Sequence, residues 1–336
     1  MANMIKTPPS SASKSPSGFL VFISVFLIVL IVILLIRQRI FDAIKLYHYT
    51  PPSEIVLLAN EDTMNNYTKH VFYVNHPMVV PTVGAFRIYC PEDETDIVLG
   101  CYHVGQNGIY IYAVNDPGLS GVEQVTAAHE VLHAVYARLT TSARETLDQE
   151  LESYYKHGLV NSRVAAEVQL YQKTEPGSVY DEMSCTFGTE IADLPANLTQ
   201  YYNQFFKDRL QIVAYEQQYQ SAFTTRQNEV TSDDQELSSL NQQINQEQQQ
   251  LQTQLAQINA ERAVLQNLSN TNELEYNAEV PSFNQLISSY NSGVNTLQAN
   301  IADYNQIVAS RNSIAGAFDH LANALNTSVT TPQAKQ

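Results

Sequence analysis

The chain has no tryptophan, and its 336 residues include only 3 cysteines, 12 glycines and 13 prolines. Three cysteines without a Cys-x-x-Cys exclude a cysteine-based zinc ribbon and a thioredoxin-type redox site. So little Gly and Pro excludes collagen-like and Pro/Gly-linker proteins. Charge is thin at 15%, against a usual ~25%, and basic charge is thinner still. Lys and Arg number 18 against 34 Asp and Glu, a net charge of −16. A nucleic-acid binder needs a basic face to neutralise phosphates, so no nucleic-acid partner is expected. Polarity is carried instead by Gln, Asn, Ser, Thr and 20 Tyr. The length suits about two domains, or one with appendages.

One long apolar run is present. Phe19 to Ile36 is uninterrupted by charge, Gly or Pro, and as a helix it extends about 27 Å, the thickness of a hydrocarbon core. The rival is a removed signal peptide, whose apolar core is shorter and ends in a small-residue cleavage site. Here Arg37 and Arg39 close the run and no Ala-x-Ala follows. The expectation is a transmembrane helix over 18–38, preceded by a disordered Ser/Pro-rich tail over 1–17. Lys6 and Lys14 before the run nearly balance Arg37, Arg39 and Lys45 after it, so the positive-inside rule barely orients it. The cysteines tip the reading towards a single-pass protein whose large C-terminal part lies outside the cytoplasm.

Residues 51–115 alternate short apolar runs with turn residues. Ile55–Ala59, His70–Val74, Ala85–Cys90, Ile97–His103 and Ile109–Val114 are expected strands by their β-branched and aromatic content. Gly105-Gln106-Asn107-Gly108 marks a hairpin, so two strands pair antiparallel. Cys90 and Cys101 flank an acidic loop (Glu92, Asp93, Glu94, Asp96). They form a disulfide if the domain is exported, or else are two buried thiols. Cys185 is left unpaired.

Val125 to Leu139 contains His129-Glu130-Val131-Leu132-His133, an H-E-x-x-H. On a helix, i and i+4 share a face, so both imidazoles can aim at one metal ion while Glu130 stands ready to take a proton from water. Zinc is the expected ion, because it accepts imidazole nitrogen and leaves a fourth position open. Val125, Ala128, Leu132, Val135 and Leu139 form an apolar stripe, and Thr126 is a candidate cap. The bland alternative is a helix whose His and Glu merely face solvent.

The stretch 85–195 resembles the zincin metallopeptidases, in which H-E-x-x-H lies on the active-site helix. The residues after His133 lack the extra Gly and third His of the metzincin branch, so the resemblance is to the gluzincin branch, whose third ligand is a Glu from a later helix. More loosely, 50–210 looks like uncharacterised membrane-anchored bacterial proteins carrying this motif. The resemblance implies an α+β, zincin-like domain over 45–212 with a small antiparallel sheet. It implies a zinc-dependent peptidase acting on peptide or protein substrates, with Glu130 as general base. It also implies that Gly108–Val114 is the edge strand on which extended peptide is bound by strand addition. Asp181-Glu182-Met183-Ser184 resembles the ligand helix with Asp for Asn, which favours Glu182 as third ligand. Glu190, eight residues on, is the alternative third ligand or a carboxylate that orients an imidazole. Glu145, Glu150 and Glu152 read as a solvated face, and His157 as a further alternative ligand. Tyr180, His157 and Tyr202 are candidate donors to the oxyanion.

Asn197 to Tyr219 is expected to continue as helix. Leu237, Ile244, Leu251, Ile258 and Leu265 then recur at seven-residue steps, with mixed companions at Leu240, Glu247, Gln254, Glu261 and Leu268. Phe283, Ile287, Tyr290, Val294, Leu297, Ile301, Tyr304 and Val308 alternate steps of four and three, the rhythm of a coiled coil. A polar break from Asn270 to Pro281 separates the two. The expectation is an antiparallel helical hairpin over 213–327, an arm of roughly 40 Å, then a disordered tail over 328–336. Low-complexity disorder over the Gln-rich Asn241–Gln254 is the alternative. The arm is a spacer, a docking rod, or a surface for a helical partner or self-association. Two functions follow: a membrane-anchored zinc peptidase, or a non-catalytic envelope scaffold in which the coiled coil does the work and the metal site is structural or vestigial.

Overall fold

The computed structural model describes residues 17–91 and 98–327. The expected tail over 1–17 except Ser17, which opens the first helix, the tail over 328–336 and the acidic loop over 92–97 lie outside the described residues. Helix α1 (Ser17–Leu46) covers the apolar run, and Phe22, Phe26 and Ile28 stand exposed on it. It is not one straight span. Among the described residues no single helix is long and apolar enough to cross a membrane; Phe22–Val32 and Ile36–Leu46 pass that test only together, bent by 55°. The bend falls just ahead of Arg37 and Arg39.

Three of the expected strands are helices. Ile55–Ala59 lies in α2 (Ser53–Glu61), His70–Val74 in α3 (Asn66–Val74), and Ala85–Cys90 coincides with α4 (Val83–Tyr89) and its C-cap. An apolar run of five or six residues fits either period, and the caps decide. The Asn65 side chain accepts from the Thr68 amide, and the Thr82 hydroxyl from the Ala85 amide.

The sheet has three strands in the order β1-β3-β2. Strands β2 (Gly100–His103) and β3 (Gly108–Tyr112) form the expected hairpin, with Cys101 opposite Tyr110 and Tyr102 opposite Ile109. Strand β1 (Met78–Val80) pairs parallel to β3, so the sheet is mixed rather than antiparallel. Three residues are too few to show a period. Because β3 has a neighbour on each side, the 108–114 segment cannot serve as the edge; β2 is the edge strand next to the site. Cys90 and Cys101 are joined by a disulfide with Cα atoms 6.0 Å apart, tying α4 to β2, while Cys185 is free and buried.

Helix α5 (Val122–Tyr136) runs through the middle of the domain and is capped by Gly121. Thr126 is not its cap: it lies inside the helix and donates to the Val122 carbonyl. The predicted stripe is buried at Val125, Ala128, Leu132 and Val135. Helices α6 (Thr141–His157), α7 (Ser162–Thr174), α8 (Val179–Glu190) and α9 (Ala196–Tyr202) follow. Helix α8 lies against α5, and Gly188 permits the approach. A Cβ there would stand 2.7 Å from Leu132 Cδ1 and 2.6 Å from Tyr202 Cε1.

Helix does not continue unbroken past Tyr202; α10 begins afresh as Arg209–Thr271, with Asp208 accepting from the Leu210 amide. Its root, Ile212 and Val213, joins the domain core. The polar break is far shorter than expected: α11 spans Glu273–Leu325, only Asn272 intervenes, and Pro281 sits inside α11. Asn272 alone can make the turn because its side chain accepts from the Glu275 amide. The two helices pack antiparallel, with Phe223 on Phe318 and Asn300 donating to Glu247 at 2.7 Å. At 1.5 Å per residue, Phe223 to Thr271 extends about 72 Å, well beyond the expected 40 Å.

Candidate metal centre

His129 and His133 face the same way from α5, their rings 4.9 Å apart. Opposite them on α8 stands Glu182. Its Oε2 lies 3.6 Å from His129 Nε2 and its Oε1 3.7 Å from His133 Nε2. Two donors on one tetrahedral zinc are separated by about 3.3–3.5 Å, so this spacing fits a shared ion better than a direct hydrogen bond. The other nitrogen of His133, Nδ1, is 2.9 Å from Asp181 Oδ1. A carboxylate there makes Nδ1 the protonated nitrogen and leaves Nε2 free to ligate. Tyr102 of β2 stacks parallel to the His133 ring at 6.5 Å.

His129, His133 and Cys185 also bring ligand atoms within 4.8 Å of one another, a cluster that can hold a metal ion. Cys185 lies one turn beyond Asp181 on α8, its Sγ 3.9 Å from Asp181 Oδ1. Both Cys185 and His133 Nδ1 thus approach the same Asp181 oxygen. Burial pushes its thiol up, against the pull of His133. Burial would also raise Glu182, but His133 and His129 outweigh it and hold that carboxyl below its usual range. Glu182 is thus the ionised donor facing both imidazoles.

Glu130, on the same helix, is 5% exposed and packs beneath Gly100 of β2. A Cβ at position 100 would stand 2.6 Å from Glu130 Oε1, so the residue without a side chain is what lets strand and carboxylate share this space. Burial raises the Glu130 carboxyl above its ordinary range, against the two imidazoles that lower it.

A cleft of about 750 Å³ covers these groups. Its walls include Val98 and Leu99, Gly100–Tyr102 of β2, Val104, the α5 face, and Tyr180 and Glu182 of α8. The Tyr112 amide donates to the Leu99 carbonyl. Leu99 and Tyr112 are therefore a hydrogen-bonded pair. By alternation, Gly100 and Tyr102 turn their N–H and C=O groups away from β3, along the free edge.

Other expected residues fall elsewhere. Glu190 is in the cleft wall but bound by Arg163, at 2.5 Å, and Arg163 also holds Glu216 at 2.7 Å. It meets neither imidazole in any ion pair of the described residues. Burial and Glu190 push nearby Glu167 up to about 7. Tyr202 is fully buried and donates to the Ser184 carbonyl, so it cannot reach a substrate. His157 ends α6 on the surface outside the cleft, and Glu152 pairs with Lys156. Tyr180 alone of the three oxyanion candidates lines the cleft. Sequence reasoning does not find Gly100, Tyr102 or the roles of Asp181 and Cys185. The only signal for the last two is their four-residue spacing around Glu182.

Comparison with known proteins finds no family model, no curated protein and no solved structure that matches this chain.

Proposed function

We propose that this protein is a membrane-anchored zinc metallopeptidase, with the ion held by His129, His133 and Glu182. The single observation that carries the reading is the convergence of both Nε2 atoms on Glu182, beside the buried Glu130 and under a free strand edge. Zinc bound there supplies a Lewis acid that brings the pKa of a water towards ~7 and polarises a carbonyl. The chain supplies the rest. Gly100 and Tyr102 offer outward N–H and C=O groups to an extended peptide. Asp181 fixes the His133 tautomer. Glu130 takes the proton of the attacking water and returns it to the leaving amine. Its raised pKa suits both halves of that task, because a weakly acidic carboxyl accepts a proton more readily. Tyr180 is the proposed donor to the developing oxyanion, on the ground that it lines the cleft and His157 and Tyr202 do not.

The Cys90–Cys101 disulfide supports an oxidising compartment, and so a domain outside the cytoplasm. The exposed apolar surface of α1 supports its placement in lipid. The scaffold reading draws on Cys185, which could hold a metal ion with His129 and His133 in place of Glu182.

The test is hydrolysis of an unfolded protein by the full chain and by Glu130→Gln. A drop of about 100- to 10,000-fold is expected, together with inhibition by chelators. Equal rates in the two would remove Glu130 from the mechanism.

A further inference from the structure

A buried clamp sets where the cleft stands relative to the apolar helix. Asp42, near the end of α1, receives both terminal nitrogens of Arg138 at 3.0 and 2.9 Å. Its side chain and that of Arg138 are only 6% and 8% exposed. Gln38 and His70 reach the same carboxylate at 2.8 and 2.9 Å. Arg138, just past the end of α5, also donates to Gln106 in the β2–β3 turn, and Gln38 reaches that same oxygen at 3.2 Å. A second tie joins His76 to the Lys45 carbonyl at 2.8 Å. A bidentate pair shielded from water holds one geometry, and α1 is therefore a strut rather than a loose tether.

The strut meets the cleft at one end. Val104 and Ala137 line the cleft, two residues from Gln106 and one from Arg138. The other end of the edge strand meets the root of the arm, where Thr327 Oγ1 donates to the Val98 carbonyl at 2.8 Å and Leu99 packs with Leu119 and Leu321. A peptide lying along β2 runs between these two posts. Asp42 comes six residues after Ile36, the last of the apolar run, a rise of about 9 Å. An extended chain matches that rise in about three residues.

We propose that the substrates are juxtamembrane segments: extended polypeptide within about ten residues of another protein's membrane span, taken along β2 between anchor and arm. This rests on the peptidase and anchor readings above. The full chain is reconstituted into phosphatidylcholine vesicles with a substrate made of one transmembrane helix followed by a uniform unstructured linker of about forty residues. Cut sites are mapped by mass spectrometry, and the linker alone in solution is the control. Wild type is expected to cut within about ten residues of the span. Asp42→Asn is expected to spread the cuts over at least twice that length and to cleave the soluble linker at an unchanged rate. Cuts spread evenly along the linker by wild type would overturn the proposal.

Loss of cleavage of the soluble linker itself would instead overturn the peptidase reading. The placement is then judged separately, by quenching of a fluorophore on Val104→Cys, an 84% exposed position, by nitroxides on the lipid headgroups. Strong quenching in the otherwise native chain, at least halved by Asp42→Asn, supports the strut. Weak quenching in the otherwise native chain counts against it, whether or not the Asp42 variant folds.

Discussion

Helix α5 and helix α10 are built on opposite terms. Most of α5 is buried from Val122 to Tyr136, against strands on one side and α8 on the other. The 63-residue α10 buries Arg209, Ile212, Val213 and Glu216 at its root and, out along the arm, only Ile258. The first is held by tertiary packing from several directions, which can fix side chains to tenths of an ångström. The second is held by one seam shared with α11, and that seam includes Glu247, Gln254 and Asn300. Polar seam positions cost stability and set register. The difference gives the domain rigidly held side chains and the arm its length.

The sharpest way to break this contrast is a pair of glycine substitutions. Gly100→Val puts methyl groups where Thr126 and Glu130 already stand, at 2.5 and 2.6 Å from the first added carbon. It is expected to cost about 1–3 kcal/mol of stability and, by displacing Glu130, about 100-fold in peptidase rate. Gly293→Ala in the arm meets only the end of the flexible Leu251 side chain, at 2.9 Å. Alanine gains up to about 1 kcal/mol in helix propensity, so the net change should stay within ~1 kcal/mol. Equal losses at the two sites, by thermal melting and rate, would erase the distinction.

Reduction of the Cys90–Cys101 disulfide, which closes a loop across a separation of 11 residues, should lower domain stability by about 2–3 kcal/mol. The helical signal of the arm should survive it; melting followed in the near and far ultraviolet separates the two.

A smaller effect of opposite sign is expected at Asp62. It is wholly buried, neither carboxyl oxygen has a hydrogen-bond partner, and burial with Glu61 nearby raises its pKa well above the usual value. A folded-state pKa above the unfolded one means that the folded state binds more protons. Stability therefore falls as pH rises from the unfolded value towards the folded one. Asp62→Asn removes that penalty and should stabilise the domain by about 1–2 kcal/mol at neutral pH. The gain should shrink in acid. A gain independent of pH would contradict the titration account.

How much of this was legible in the sequence follows the same division. The arm was readable because its period runs unbroken over many turns, and the a/d positions from Leu237 to Leu268 do line the seam. The length of the turn was not, because Asn272 supplies a cap that only the folded geometry reveals. The pairing of His129 with His133 was readable because i and i+4 share a helix face. Glu182 was favoured over Glu190 only by the resemblance of Asp181-Glu182-Met183-Ser184 to a gluzincin ligand helix, since the eight-residue spacing puts both on a similar face. Three short helices passed for strands because runs such as His70–Val74 are too brief to show 3.6-residue periodicity. The contribution of Gly100 was invisible, because a missing side chain announces itself only through what would otherwise collide.

The central claim is tested most directly by zinc content of the purified full chain, measured beside Glu182→Gln and Cys185→Ser. One zinc per chain in the wild type, lost in Glu182→Gln and kept in Cys185→Ser, is the predicted result. No zinc in the wild type, or retention without Glu182 and loss without Cys185, would contradict a catalytic centre built on His129, His133 and Glu182.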